Sequence, residues 1–179
     1  WFNEISKDNM VGQAGMVRYC DDMVFVFENE EDARRFYEVL PKRLNKYGLN
    51  INDAKSQMIQ SGRTHVINLA KQNKKIESYN FLGFTCYWGK SRFGTTWRLK
   101  YTTRKDRFTE KLKGLRQYLR GQLNKRNKTQ VLTNVIRVIK GWINYHGISD
   151  NQRRVSSFIY QSKHVIYWLS LIHISEPTR

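Results

Sequence analysis

Three apolar stripes with helical spacing follow Thr103, and they constrain the fold more than any other feature of the sequence. Residues three and four apart lie on one face of a helix, so each stripe predicts an amphipathic helix. Thr103 with Asp106 has the pattern of a capping box, which predicts that the first helix begins there. Short links between three such helices favour a small helical bundle. The stripes comprise Phe108, Leu112, Leu115, Leu119 and Leu123, then Val131, Leu132, Val135, Ile136, Ile139 and Trp142, and finally Val155, Phe158, Ile159, Val165 and Ile166.

The first part of the chain has the alternating pattern of strands instead. In MVRYCDDMVFVF, residues 16–27, two strand-like runs meet at a polar connection. This pattern predicts a β-hairpin with Asp21 and Asp22 at or beside its tip. Residues 79–88 and 95–101 predict a second hairpin around a glycine-containing turn. A sheet region followed by a helical region predicts an α+β fold.

A helix is predicted after the first hairpin. Asn29 can cap its start with Asp32 three residues later, and Gly48 suits a left-handed residue after its end. Pro41 falls inside the pattern and predicts a kink or an interruption. The following LNINDAKSQMI, residues 49–59, predicts a strand, a polar turn and a second strand. The apolar positions of the helix are Phe36, Leu40, Leu44 and Tyr47.

Charge is unevenly distributed along the chain. The 179 residues carry a formal net charge of +17. Residues 1–60 hold 8 Lys and Arg against 10 Asp and Glu, whereas residues 61–179 hold 24 against 5. This asymmetry points to a polyanionic partner, with nucleic acid first and an anionic membrane surface second, although a merely soluble basic surface stays open. No apolar run approaches the roughly 20 residues of a membrane helix, so we expect no membrane-spanning segment. Of the two polyanions, we expect nucleic acid and not a membrane as the partner.

The two cysteines, Cys20 and Cys86, lie far apart and form no CxxC pair. The sequence therefore shows neither a disulfide framework nor the ligand spacing of a zinc site. A reducing cytoplasmic location fits this cysteine usage.

Asp21 and Asp22 are adjacent carboxylates between two apolar runs, where like charges repel. A solvated turn is one interpretation, because Asp is common in turns. A divalent cation site is the other, since carboxylate oxygens are hard ligands and the cation relieves their repulsion. Two Mg²⁺ ions about 4 Å apart serve phosphoryl transfer by stabilising the attacking and leaving oxygens. Two carboxylates rarely hold both ions, so a third is expected from elsewhere.

Several motifs, in their order along the chain, resemble the reverse transcriptases and maturases encoded by group II introns. YCDD, residues 19–22, resembles the YxDD motif on the palm hairpin of reverse transcriptases, with Cys20 in the variable position. The whole stretch 18–58, which contains this motif and the segment after it, resembles that family. NFLGF, residues 80–84, resembles the next motif, which helps to hold the primer end. KGWINYHG, residues 140–147, is similar to part of the maturase-specific helical region, or thumb.

The resemblance spans residues 1–168 and implies a partial palm over 1–102, followed by a helical thumb over 103–168. It implies an RNA-directed DNA polymerase that copies RNA into DNA and assists intron splicing and mobility. The implied partners are intron RNA, an RNA template with its DNA primer, and dNTP. Two alternatives stay open: an RNA-binding splicing cofactor with an idle polymerase, and a retron or CRISPR-associated reverse transcriptase.

The same resemblance implies roles for individual residues. Asp21 and Asp22 would ligate two Mg²⁺ ions, with the third carboxylate outside this sequence. Lys55 would contact the leaving pyrophosphate, a task that suits a mobile cation, or it is a solvated turn lysine. Tyr19 would pack beneath the incoming nucleotide or primer end, or it is an ordinary strand aromatic. The residues that would contact the primer strand, with core packing as the alternative, are Phe81, Leu82 and Gly83.

Residues 104–128 are strongly basic, with 10 Lys and Arg against 2 Asp and Glu. Basic positions flank the first apolar stripe, as they would on a surface that contacts phosphates. A solvated basic helix face is the alternative. The predicted RNA-binding residues are Arg104, Lys105, Lys111, Arg116, Arg120, Lys125 and Arg126.

Both ends of the sequence carry expectations. Since residue 1 is Trp rather than Met, we expect the chain to begin inside a longer protein whose upstream part holds the third carboxylate and the fingers. The isolated chain is therefore expected not to polymerise. LSLIHISEPTR, Leu169 to Arg179, matches a translated sequencing-library adapter of the transposase type at all eleven residues. We predict that this segment is not native.

Overall fold

The computed structural model describes residues 1–3, 7–123 and 127–175. Within these ranges it contains five strands and five α-helices, which confirms the predicted α+β class. The chain forms two compact units, Trp1–Glu77 and Ser78–Arg179. Each unit contains one antiparallel sheet. In the described part of the chain, no helix is long and apolar enough to cross a membrane.

The first unit is built on the predicted hairpin. Strands β1 (Ala14–Tyr19) and β2 (Asp22–Phe27) pair antiparallel, and helices α1 (Glu30–Asn45) and α2 (Arg63–Lys71) follow. The buried ring of Phe36, on α1, is the centre of the small core. The ring centroids of Phe2, Phe25 and Phe27 lie 4.6 to 5.4 Å from the ring centroid of Phe36.

Helix α1 confirms part of its prediction. Gly48 has φ +70°, and the Gly48 and Leu49 amides donate to the Asn45 and Leu44 carbonyls at 3.0 and 3.1 Å. These two bonds make a Schellman motif, which needs the left-handed residue that glycine supplies most easily. Pro41 does not interrupt the helix, which continues through it to Asn45.

The predicted cap of α1 is wrong in its details. Asn29 occupies the N-cap position, but its side chain makes no capping hydrogen bond. Asp32 instead is buried and accepts hydrogen bonds from the Val11 and Gly12 amides, both at 3.0 Å. The bond from Gly12 lowers the pKa of the Asp32 carboxyl, and the Arg35 guanidinium lowers it further against the effect of burial. Asp32 therefore ties the segment before β1 to the helix.

Residues 49–59 contain a turn but not the two predicted strands. The Lys55 and Ser56 amides both donate to the Asn52 carbonyl at 3.0 Å, which confirms the polar turn. On either side of it the backbone forms no ladder. A strand exists only where another strand pairs with it, and among the described residues β1 and β2 pair only with each other.

The second unit begins with a three-stranded meander. Strands β3 (Ser78–Phe81), β4 (Phe84–Lys90) and β5 (Trp97–Thr103) pair antiparallel in that order. The single strand predicted over 79–88 is therefore wrong, because a two-residue turn at Leu82 and Gly83 divides it. This sheet lies in the second compact unit, together with the helices that follow it. The predicted division at residue 102 separates palm from thumb by function, and it stays a prediction.

Three helices complete the second unit: α3 (Lys105–Gln122), α4 (Lys128–His146) and α5 (Gln152–Ser175). All three predicted stripes contribute to one core. Its centre includes the rings of Trp142 and Phe158, stacked with their centroids 3.7 Å apart. Leu169, the first residue of the segment predicted to be non-native, is also buried there. The buried core residues are Phe108, Leu115, Leu119, Leu123, Val131, Val135, Trp142, Val155, Phe158, Val165 and Leu169.

The capping box predicted at Thr103 and Asp106 is wrong. Arg104 occupies the N-cap position of α3 and makes no side-chain cap. Asp106 instead pairs with the Arg104 guanidinium through bonds of 3.1 and 2.6 Å, and these lower the pKa of the Asp106 carboxyl. Thr103 is buried and bonds to Asn151, which lies 48 residues further along the chain. A distant partner for Thr103 and a neighbouring arginine for Asp106 thus replace the cap that the spacing suggested.

Candidate functional site

The two acidic residues lie at the tip of the first hairpin, as predicted. Tyr19 and Asp22 form the last ladder pair, so Cys20 and Asp21 make a two-residue turn. Cys20 has φ +51°, a left-handed conformation that is uncommon for a residue with a Cβ atom. The Arg18 Nε donates to the Cys20 carbonyl at 2.8 Å, which holds the turn in this form. All five residues are exposed.

The register of the hairpin separates a core face from an open face. Met16 and Phe25 form a ladder pair on the side that faces the aromatic core, because paired residues point to the same side and the Phe25 ring packs on Phe36. The opposite side carries Asp22 and the Tyr19 ring, which is 63% exposed. This side of the hairpin also carries the exposed apolar residues Val17 and Val26. The tip therefore presents a carboxylate and an aromatic ring on one accessible surface.

The chemistry of the tip fits a divalent cation. The Asp21 and Asp22 carboxylates are adjacent in sequence and accessible, and carboxylate oxygens are the ligands that Mg²⁺ prefers. No group of three or more His, Cys, Asp or Glu side chains suited to a metal occurs in the part of the chain that the structure describes. The pair alone supplies two of the three carboxylates expected for a two-ion site. Lys55 lies exposed in the turn after Asn52, where its ammonium is available to an anionic ligand.

The NFLGF motif forms the turn between β3 and β4. Phe81 pairs with Phe84, and the two residues between them, Leu82 and Gly83, have φ +48° and φ +77°. Two positive φ values belong to a type I′ turn, in which Asn-Gly is the preferred sequence. Phe81, Leu82 and Gly83 are all half-buried, so packing and ligand contact are both open to them.

Two hydrogen bonds hold this turn, one from helix α4 and one from Arg104, the residue before α3. The Tyr145 hydroxyl donates to the Leu82 carbonyl at 2.8 Å, and the Arg104 amide donates to the Gly83 carbonyl at 3.1 Å. The turn lines the end of a groove of about 700 Å³ between α3 and α4. Residues along this groove include Lys111, Leu115, Tyr118, Asn134 and Trp142.

The predicted RNA-binding residues of α3 lie on two flanks of its apolar stripe. Arg116 and Arg120, four residues apart, are exposed on one flank, and Lys111 lines the groove on the other. Lys105 is exposed at the start of the helix, whereas the Arg104 guanidinium is held by Asp106. The predicted residues Lys125 and Arg126 lie outside the described residues. The exposed cations give α3 a surface suited to phosphates.

Sequence reasoning missed a buried polar network beneath the NFLGF turn. Asn151 donates to the Thr103 hydroxyl at 2.7 Å and to the His146 carbonyl at 2.9 Å, and it accepts from the Thr103 amide at 2.9 Å. The Thr103 hydroxyl lies 3.3 Å from His146 Nδ1. Burial lowers the pKa of the His146 imidazole, so the neutral ring is favoured. Scattered single polar residues carry no periodic signal that would have revealed this network.

The YCDD tip, α1 and the NFLGF turn all fall within residues 1–86. This segment matches the family model for reverse transcriptase (RNA-dependent DNA polymerase). The predicted resemblance to reverse transcriptases is thereby confirmed for residues 1–86. No curated protein and no solved structure matches the chain.

The reverse transcriptase match ends inside β4. Helices α3 to α5 lie beyond it, so their interpretation as a thumb depends on the KGWINYHG resemblance and on their exposed cations. Within the matched segment, the structure brings Tyr19, Asp21 and Asp22 together at one hairpin tip.

Proposed function

We propose that this chain contributes the polymerase palm and the thumb of an RNA-directed DNA polymerase encoded by a group II intron. The observation that carries the proposal is the YCDD hairpin tip, which presents Asp21 and Asp22 to solvent inside a segment that matches reverse transcriptase. An adjacent, accessible carboxylate pair fits the part that this hairpin would contribute to a two-ion phosphoryl-transfer site.

In the proposed reaction, the primer 3′-hydroxyl attacks the α-phosphorus of a dNTP, the new phosphodiester bond forms, and pyrophosphate leaves. Asp21 and Asp22 would hold two Mg²⁺ ions together with a third carboxylate from another segment. Bound Mg²⁺ would supply charge stabilisation at the attacking and leaving oxygens. The chain's own residues position the substrates. Tyr19 packs against the nucleotide or primer end, and the Lys55 ammonium neutralises the departing pyrophosphate.

The second part of the proposal concerns RNA. The turn formed by Phe81, Leu82 and Gly83 contacts the primer strand, where glycine permits a close backbone approach. The exposed cations of α3 contact phosphates of the template–primer duplex and of intron RNA. The charge of residues 61–179, with 24 Lys and Arg against 5 Asp and Glu, supports this assignment.

Primer extension on an RNA template with Mg²⁺ tests the proposal in the full-length protein that contains this chain. We expect extension by the wild type and a loss of at least about 10³-fold in Asp22→Asn, because charge stabilisation worth several kcal/mol disappears. Asp8→Asn is the matched control, since Asp8 is an exposed carboxylate of the same unit outside the YCDD motif. Extension by Asp22→Asn at the level of Asp8→Asn would refute the metal assignment.

A parallel splicing assay separates the alternatives. A wild-type protein that promotes splicing of its intron but extends no primer would be a splicing cofactor with an idle polymerase. Extension without any effect on splicing would favour a retron or CRISPR-associated reverse transcriptase. Both activities in one protein are the result expected for a group II intron enzyme.

A further inference from the structure

The turn between β3 and β4 holds a leucine in a conformation that leucine avoids. Leu82 has φ +48°, whereas its neighbour Gly83, at φ +77°, adopts this region without a steric cost. Residues kept in sparsely populated backbone regions persist only where their surroundings enforce them. Something outside the two-residue loop therefore enforces the turn.

The Tyr145 side chain supplies that constraint. Its hydroxyl donates to the Leu82 carbonyl at 2.8 Å, across 63 residues of sequence. Its ring stacks on Phe84, the residue after the turn, with 5.7 Å between centroids and 22° between planes. Tyr145 is 55% exposed, so its burial contributes little to the core.

The helix end that carries Tyr145 is itself fixed. The next residue, His146, is buried, and its carbonyl accepts from Asn151 at 2.9 Å. Its ring lies in an edge-to-face contact with Phe84, with centroids 5.0 Å apart. The Tyr145 hydroxyl is thus a donor mounted on a rigid element, as precise positioning of a partner requires.

We infer that Tyr145 is a positioning residue, whose hydroxyl holds the Leu82–Gly83 turn so that helix α4 sets where this turn meets the primer strand. The part of this inference that concerns the primer depends on the function proposed above. The hydroxyl fixes one carbonyl, and the amide of Arg104, the residue between β5 and α3, fixes the next, so helix α4 and the end of the sheet together orient the turn. The position of α4, and not that of the sheet alone, would then determine where the primer lies.

Hydrogen exchange on the 179-residue chain tests the structural half. Tyr145→Phe keeps the ring stack and removes only the hydroxyl, so the amides of residues 81–84 should exchange about threefold to tenfold faster, with the helices unchanged. Tyr160→Phe is the matched control, because Tyr160 is an exposed tyrosine of α5 away from the turn. Equal exchange at 81–84 in the two variants would overturn the inference.

A second variant tests the role of strain. Leu82→Asn creates an Asn-Gly turn, which adopts positive φ at both positions readily. In this background Tyr145→Phe should accelerate exchange by less than about twofold, because the turn no longer depends on the hydroxyl. An undiminished effect would show that Tyr145 acts on the turn by some route other than enforcing the left-handed leucine.

Photo-cross-linking tests the functional half. The probe is an RNA template annealed to a DNA primer that ends in 4-thiothymidine. Wild type should cross-link within residues 80–84, and Tyr145→Phe should lose most of this product while its affinity for the duplex stays within about twofold, because phosphate contacts supply most of that affinity. Wild-type cross-linking elsewhere only would refute the proposed primer contact, whatever the exchange data show. Equal cross-linking at 80–84 in both proteins would refute the positioning role alone.

Discussion

Replacing Asn151 by alanine tests whether the buried network joins the second sheet to its helices. Asn151 is 1% exposed, and Thr103, its main partner, is equally buried. The side chain makes two donor bonds and accepts two, from the Thr103 amide at 2.9 Å and from the Thr102 hydroxyl at 3.3 Å. Alanine removes all four bonds and leaves the neighbouring polar groups in place.

The four broken bonds do not cost the same. The His146 carbonyl keeps its bond from the Ile148 amide at 2.8 Å, and the Thr103 hydroxyl keeps His146 Nδ1 as a neighbour. The Thr103 amide loses its partner in a buried place, which costs about 1–3 kcal/mol. The two donor bonds of Asn151 each contribute about 0.5–1.5 kcal/mol net. The bond from the Thr102 hydroxyl is longer, at 3.3 Å, and only part-buried, so it adds little. We therefore expect Asn151→Ala to lower the free energy of unfolding by about 3 kcal/mol.

Thermal unfolding measures this loss. For a cooperative unit of about 100 residues, about 3 kcal/mol corresponds to a fall in Tm of about 10–20 °C. Asn144→Ala is the matched control: Asn144 is exposed in the last turns of α4, where the same change should stay within about 0.5 kcal/mol of wild type. If Asn151→Ala unfolds within about 2 °C of Asn144→Ala, the network does not stabilise the unit and the reasoning is wrong.

Four more predictions concern the YCDD tip, helix α3, His146 and the end of the chain. Asp21→Asn should reduce primer extension by the full-length protein about 10³-fold or more, and near-normal extension would contradict the metal assignment. Arg116→Glu and Arg120→Glu should each reduce the slope of log K against log salt for RNA binding by roughly 0.7–0.9 for every phosphate that the variant no longer binds, so an unchanged slope would exclude that flank. Burial lowers the pKa of His146 below 6.5, so the unfolded chain binds a proton at a higher pH than the folded chain does. The free energy of unfolding should therefore fall as pH drops from 6.5 through the folded-state pKa, with a slope of at most about 1.4 kcal/mol per pH unit. In urea titrations, His146→Gln should flatten this pH dependence. Truncation after Leu169 should leave Tm unchanged, whereas truncation after Trp168 should lower it, since Leu169 is buried. A fall of about 5 °C on truncation after Leu169 would show that residues 170–179 belong to the fold.

Periodic features were predictable from the sequence, because burial of one face leaves a repeating pattern. The three apolar stripes contribute to the observed core, with Val131, Val135 and Phe158 among its most buried members. The YCDD hairpin was predictable for the same reason, since its alternation separates a core face from an open face. The ordered motifs then located the candidate site within it.

Features that depend on distant partners were not predictable. Thr103 has the spacing of a cap with Asp106, but it bonds instead to Asn151, 48 residues further along the chain. Residues 49–59 have strand-like composition without a strand to pair with. Local patterns state what a segment prefers, whereas burial and pairing decide which preference is realised.

The YCDD turn and the NFLGF turn are each stabilised in a similar way, which no local pattern shows. Each has a non-glycine residue at positive φ, Cys20 in one and Leu82 in the other. In each, a side chain donates to the carbonyl of that residue at 2.8 Å, from Arg18 and from Tyr145 respectively. The donor is two residues away in the first turn and on a separate helix in the second. The YCDD tip is therefore held by its own strand, whereas the conformation of the NFLGF turn depends on the correct placement of α4.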